Sequence, residues 1–204
     1  KKCVEEWAPI IKESGFDGII VSITNPCDVI AEYMQKLTGL PKERVIGAGT
    51  ILDSARMKNA VAKYLGIDPD SVNGYVIGEH GNSQFVAWSK VFIAAKPIGQ
   101  ILDENTLNQI EEASRMKGFE IIKGKGYTSY GIANSAAIIV ETIFNDAKTI
   151  LPVSSYSSEA ACYIGHPCVV GKQGIIREYH LELNEEETKK WDHSVETIKN
   201  IRPE

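Results

Sequence analysis

The position best suited to chemistry is His80, in the glycine-flanked run Gly78-Glu79-His80-Gly81-Asn82-Ser83. An imidazole with a reference pKa of about 6.5 gives and takes protons near neutral pH. Taken alone, a solvated loop histidine is the simpler reading. Asp53 and Arg56 stand three apart at the start of a predicted helix, hence on one face. By themselves they make a surface ion pair worth about 0–1 kcal/mol. Asn25 lies at a strand-to-helix turn, where its side chain either caps the helix or reaches a ligand. In combination these residues say more. A carboxylate bonded to an imidazole fixes its tautomer and stabilises the imidazolium, and a guanidinium grips a carboxylate with two parallel hydrogen bonds. Those are the parts needed to hold a 2-oxo acid and protonate its carbonyl oxygen while a hydride reaches the carbon.

The elements that would position them are legible in the apolar spacing. Residues 4–13 have near-helical spacing with Pro9 as a kink, and Ser14-Gly15 stops the run. Residues 18–23 form a β-branched apolar run typical of a strand buried on both faces of a parallel sheet. Asn25-Pro26 ends it, and Val29, Ile30, Tyr33, Met34 and Leu37 form the stripe of a helix closed by Gly39. A short strand is expected over residues 44–46 and a helix over 53–65, ended by Gly66. Residues 72–77 and 89–94 read as strands flanking the His80 loop. Helices are expected over 107–117 and 129–150, the second with small residues Ala133, Ala136 and Ala137 suited to close packing. Glycines and prolines between β-rich stretches predict an antiparallel meander over 153–182. Asn184-Glu185-Glu186-Glu187 opens a final helix with a capping box.

Composition narrows the function classes. In 204 residues, 43% hydrophobic and 24% charged is ordinary globular usage. A net charge of -5 offers no electrostatic reason for nucleic acid or an anionic membrane as partner. The apolar run over residues 136–140, which no other exceeds, is too short to span a bilayer. Cys3, Cys27, Cys162 and Cys168 need no disulfide framework, so a reducing, cytoplasmic setting is expected.

Four motifs occur in order: Asn25-Pro26-Cys27-Asp28, Gly49-Thr50-Ile51-Leu52-Asp53-Ser54-Ala55-Arg56, the His80 run, and Lys125-Gly126-Tyr127-Thr128-Ser129-Tyr130. Together they resemble the NAD-dependent L-2-hydroxy acid dehydrogenases of the lactate and malate dehydrogenase superfamily. The lactate and hydroxyisocaproate branch looks most similar. The resemblance implies an α+β C-terminal substrate domain over 49–204. It is preceded over 1–48 by the last helix and strands of a truncated Rossmann α/β domain. It implies His80 as the acid/base group, Asp53 orienting it, and Arg56 clamping the substrate carboxylate. Asn25 would serve both substrate carbonyl and nicotinamide, and Thr128 would line the side-chain pocket. The implied cofactor is NAD, the substrate a small 2-oxo or 2-hydroxy acid, and the assembly a homo-dimer or homo-tetramer. Thr128 suits an apolar side chain better than a second carboxylate, and Asn82 stands where many lactate dehydrogenases have Asp.

Two departures stand out. Lys58 and Asn73 look to match the Arg and His of the family's sugar-bisphosphate site, so strong activation by that route is not expected. No complete Gly-x-Gly-x-x-Gly turn for the dinucleotide occurs in the sequence. Because residues 1–7 read as mid-helix, roughly a hundred residues carrying that site are expected upstream, and this chain alone is expected to be inactive. A non-catalytic assembly module of the same fold is the alternative. Metal binding by Cys162, His166 and Cys168 has no fourth nearby ligand, and no Gly-x-Ser-x-Gly elbow suggests a hydrolase.

Overall fold

The computed structural model describes residues 2–202. Helix α1 (Lys2–Glu13) contains Pro9 and precedes strand β1 (Ile20–Ser22). Helix α2 (Cys27–Thr38) ends at Gly39, whose φ of 73° is the left-handed conformation a helix stop uses. A 3-10 turn leads to β2 (Val45–Gly47), and α3 (Ile51–Leu65) follows. Four two-residue strands come next: β3 (Val72–Asn73), β4 (Val76–Ile77), β5 (Phe85–Val86) and β6 (Phe92–Ile93); β7 (Lys96–Pro97) completes the small sheets. Helices α4 (Glu104–Lys125) and α5 (Tyr130–Phe144) precede β8 (Thr149–Ser157), β9 (Cys162–Gly171) and β10 (Gly174–Glu178), and α6 (Glu185–Ile201) closes the chain.

The main sheet has the order β1-β2-β8-β9-β10, with β1 and β2 parallel and the rest antiparallel. This matches the expected α+β class with an α/β remnant, and the meander is present. The sheet passes from residues before 48 to those after it at a single register pair, Gly47 with Ser154. Pro152 and Pro167 face each other on β8 and β9. The Pro167 carbonyl accepts from Tyr179 on the far side, so the N–H that proline lacks also points away from β8 and the β8–β9 ladder loses nothing.

Several expected boundaries shift. Strand β1 is half-buried rather than buried on both faces, because among the described residues β2 is its only neighbour. The expected stripe of α2 is mostly half-buried, and its innermost face instead carries Asp28 and Glu32. Helix α4 runs eight residues past Lys117, through Gly118 and Gly124, which local propensity reads as interruptions. The helix expected to reach residue 150 stops at Phe144. Asp146 and Lys148 take positive φ in the turn, and Thr149 and Ile150 begin β8. Ala133 and Ala137 on α5 are exposed, its packing resting on Ser135, Ile139 and Thr142. The strands expected over 72–77 and 89–94 are shorter pieces broken by turns.

Four buried clusters hold these layers; the smallest, Ala31, Leu40, Val45 and Tyr163, seats α2 on β2 and β9. Met57, Val61, Val72, Val86, Ile98 and Leu107 join α3 and α4 to the small sheets. Ile77, Phe85, Ile164, Trp191 and Ile198 seat α6 on β9 and the β4–β5 hairpin. Ile46, Ile51, Ile139, Val153 and Val170 pack α5 and the start of α3 onto β2, β8 and β9. Among the described residues no helix is long and apolar enough to cross a membrane, and the four cysteines are free.

Candidate active site

The site forms where the first turn of α3 meets the loop after β4. Thr50 does not cap α3 with its side chain; its hydroxyl donates to the Val76 carbonyl at 2.7 Å. One turn on, the Ser54 hydroxyl accepts the Val76 N–H at 2.9 Å. These bonds tie the start of α3 to β4, and β4 delivers the chain into the His80 loop. His80 Nδ1 then lies 2.7 Å from Asp53 Oδ2, and Arg56 Nη1 lies 3.0 Å from Asp53 Oδ1. Asp53 is buried, and its place in the first turn of α3 is one where negative charge is favoured.

Burial alone pushes Asp53 up, but the His80 hydrogen bond and charge, followed by Arg56, outweigh it and hold the carboxyl below its usual range. An ionised carboxylate only accepts hydrogen bonds, so Nδ1 of His80 carries the proton shared with Asp53 and Nε2 is left for the cavity. Burial pulls the His80 pKa down, yet the Asp53 hydrogen bond and charge, with help from Asp28, raise it overall. The imidazole is thereby biased toward its protonated form.

These groups line a cavity of about 490 Å³ together with Asn25, Asn82, Gln84 and Thr128. All five residues singled out by the motifs (Asn25, Asp53, Arg56, His80 and Thr128) converge there, from α3, two loops and the turn before α5. Leu52, Phe119, Ile122 and Ile132 give the cavity an apolar wall. Lys58 sits on α3 with its ammonium 6.0 Å from the Tyr75 ring, and Asn73 is exposed on β3. Tyr127 and Tyr130 are exposed against the Lys125 ammonium.

Sequence reasoning missed several participants. Arg115 on α4 also lines the cavity, with its Nε and Nη2 held by Glu112 at 3.1 and 2.6 Å. Arg115, Gly118, Phe119 and Ile122 share a helical face, a signal hidden because the predicted helix stopped at Lys117. Asp28, within the first motif, accepts the His80 backbone N–H at 2.8 Å. Ser194 on α6 accepts the Glu79 N–H at 2.6 Å, and Glu79 itself turns back to Ser83. On β9, His166 donates from Nδ1 to the Ile164 carbonyl and faces Glu178; among the described residues no group of His, Cys, Asp or Glu is arranged to hold a metal ion.

This architecture around a His–Asp–Arg cluster places the chain in a known class: it belongs to the lactate/malate dehydrogenase family, whose α/β C-terminal domain matches residues 50–203. An L-lactate dehydrogenase of Halalkalibacterium halodurans is 41% identical over 94% of this chain and 63% of its own length. L-lactate dehydrogenase 1 of Bifidobacterium longum is 40% identical over 96% of this chain and 66% of its own length. The chain therefore spans just under two thirds of these curated relatives. Among solved structures, a lactate dehydrogenase from a deep-sea metagenome superposes with a TM-score of 0.94 at 36% identity, over 98% of this chain and 67% of that one. The malate dehydrogenase from Aeropyrum pernix superposes with 0.93 at 34% identity, over 98% and 69%.

Proposed function

We propose that this chain carries the substrate-anchoring and proton-transfer part of an NAD-dependent L-2-hydroxy acid dehydrogenase of the L-lactate type. Arg56 binds the carboxylate of the 2-oxo acid through two parallel hydrogen bonds. His80 donates the Nε2 proton to the carbonyl oxygen in reduction and recovers it in oxidation. Asp53 keeps the imidazole in the required tautomer and stabilises its charge. Asn25 donates its amide to the same carbonyl region, and Thr128 lines the space for the substrate side chain. NAD, when bound, supplies or accepts the hydride. Asn25, with the apolar wall of Ile23, Ala48 and Ile132, fits the edge of a nicotinamide ring. A glycine turn for its phosphates does not occur in these 204 residues, so the chain by itself does not turn over. The cavity's apolar wall favours a substrate with an apolar side chain, since Arg115 is already neutralised by Glu112. A cytoplasmic location, assembly as homo-dimers or homo-tetramers, and a division into domains at residue 48 belong to the same reading.

The observation that carries this proposal is the single line of contacts from Arg56 through Asp53 to His80 on the cavity wall. It is tested by NADH oxidation with pyruvate and 2-oxoisocaproate in the protein encoded by the complete gene. His80→Asn there is expected to abolish turnover while cofactor binding, read by NADH fluorescence, persists. Retained turnover removes His80 as proton donor.

A further inference from the structure

Asp28 is a buried carboxylate for which the proposed reaction has no use. It lies in the first turn of α2, 2% exposed, beneath the His80 loop. Its Oδ2 accepts the His80 backbone N–H at 2.8 Å. Its Oδ1 has no close hydrogen-bond partner; beside it stands only the neutral Ser154 hydroxyl, which favours the ionised carboxyl. A neutral acceptor would satisfy that N–H as well as a carboxylate does. A buried carboxylate with an orphaned oxygen is costly unless a positive charge stands close by.

The groups facing the two residues leave few candidates for that charge. Glu79 in the loop is another acid, Cys27 on α2 is a buried thiol, and Ser154 on β8 is neutral. Asp53 and Arg56 on α3 are bonded to each other, and Arg115 on α4 is held by Glu112. The remaining group is the His80 imidazole, and it is positive only when protonated. The coupling runs both ways. Burial lifts the Asp28 carboxyl to about 6, with Ser154 and His80 drawing it back, and Asp28 in turn is among the charges that favour protonated His80.

We propose that Asp28 is a positioning residue for His80: it pins the loop through the backbone N–H and, through its charge, favours the proton-loaded imidazolium that Asp53 holds by the ring. This rests on the reading of His80 as the proton donor. Asp53 alone fixes the tautomer; Asp28 adds charge stabilisation without touching the ring or the cavity.

The test is NMR titration of the 204-residue chain, wild type against Asp28→Asn, following the His80 ring protons. Asparagine keeps an oxygen to accept the N–H and discards the charge. The His80 pKa is expected to fall by roughly half a unit to one unit, with exposed His193 unmoved as the internal reference. An unchanged His80 pKa in a folded variant overturns the proposal. If Asp28→Asn does not fold, the wild type decides. The His80 backbone amide is expected to shift in step with the Asp28 side-chain carboxyl carbon, whose midpoint falls near 6. An amide shift that does not follow that carbon overturns the proposal. Neither readout requires turnover. Oxo-acid turnover without these shifts removes Asp28 alone, whereas these shifts in a complete protein without turnover remove the functional reading alone.

Discussion

At His80 the proton is held by opposing charges of different reach. Asp53, kept below its usual pKa, contributes stability that is present above about 3.8 and is lost as pH falls through its folded value. His80, kept above its usual pKa, contributes stability that is full below about 6.5 and is lost as pH rises through its folded value. The pair is therefore strongest between those limits. On the proposed role of His80, reduction by the complete protein is expected to decline as pH rises through the raised His80 pKa, because the proton to be donated is gone, which a pH–rate profile checks. As the proposed carboxylate clamp, Arg56 would act through geometry as much as charge. Arg56→Lys in the complete protein is expected to raise KM for the oxo acid by about tenfold or more, one point charge replacing a two-pronged contact. An unchanged KM would show that the carboxylate docks elsewhere.

The elements hold these residues through close backbone approach. Gly78 and Gly165 exchange backbone hydrogen bonds of 2.9 and 3.0 Å, which fasten the His80 loop to β9. A Cβ on Gly165 would stand 2.8 Å from both the Gly78 oxygen and Thr50 Oγ1. Gly165→Ala is therefore expected to cost about 1–3 kcal/mol, read as a lower urea midpoint. Gly124 provides the opposite case. It lies inside α4, and its added Cβ would meet nothing within 4 Å. Gly124→Ala is expected to stabilise by about 0.5–1 kcal/mol through helix propensity alone. If Gly165→Ala leaves the urea midpoint unchanged or raises it, the close approach at Gly165 is not what matters. The stops at Gly39 and Gly66 and the capping box at Asn184 were readable from local sequence. The extension of α4 through Gly118 and Gly124 was not, because the faces of that helix are set by what it packs against.

Across the whole molecule, one sheet and its helices join the site to a second charged cluster on the far strands. His166, buried on β9, and Glu178 on β10 stand 3.4 Å apart. Burial lowers His166, but Cys168 and Glu178 outweigh it and lift it to about 10, while the nearby His166 imidazole draws Glu178 down to about 2. The histidine's contribution is full below 6.5 and fades toward 10; the glutamate's is full above 4.5 and fades toward 2. Glu178→Gln is thus expected to lower stability most at pH values between these two ranges. Its deficit should shrink as pH falls below about 4.5 toward the folded value. Urea denaturation across that range checks it, and a deficit independent of pH would mean that packing, not charge, is lost.

Much of this molecule is local information. Residue types at Asn25, Asp53, Arg56, His80 and Thr128, the helix stops and the antiparallel meander could all be read from the chain, because chemistry at a site and the ends of helices depend on near neighbours. The division of labour among the carboxylates could not. Asp28 lies 52 positions from His80 and Asp53 lies 27, and in sequence both are merely acids near helix starts. Folding places one on the backbone and the other on the ring, and burial then turns each charge into a shift of the proton between them. That step depends on distance and desolvation, which exist only once the layers have packed.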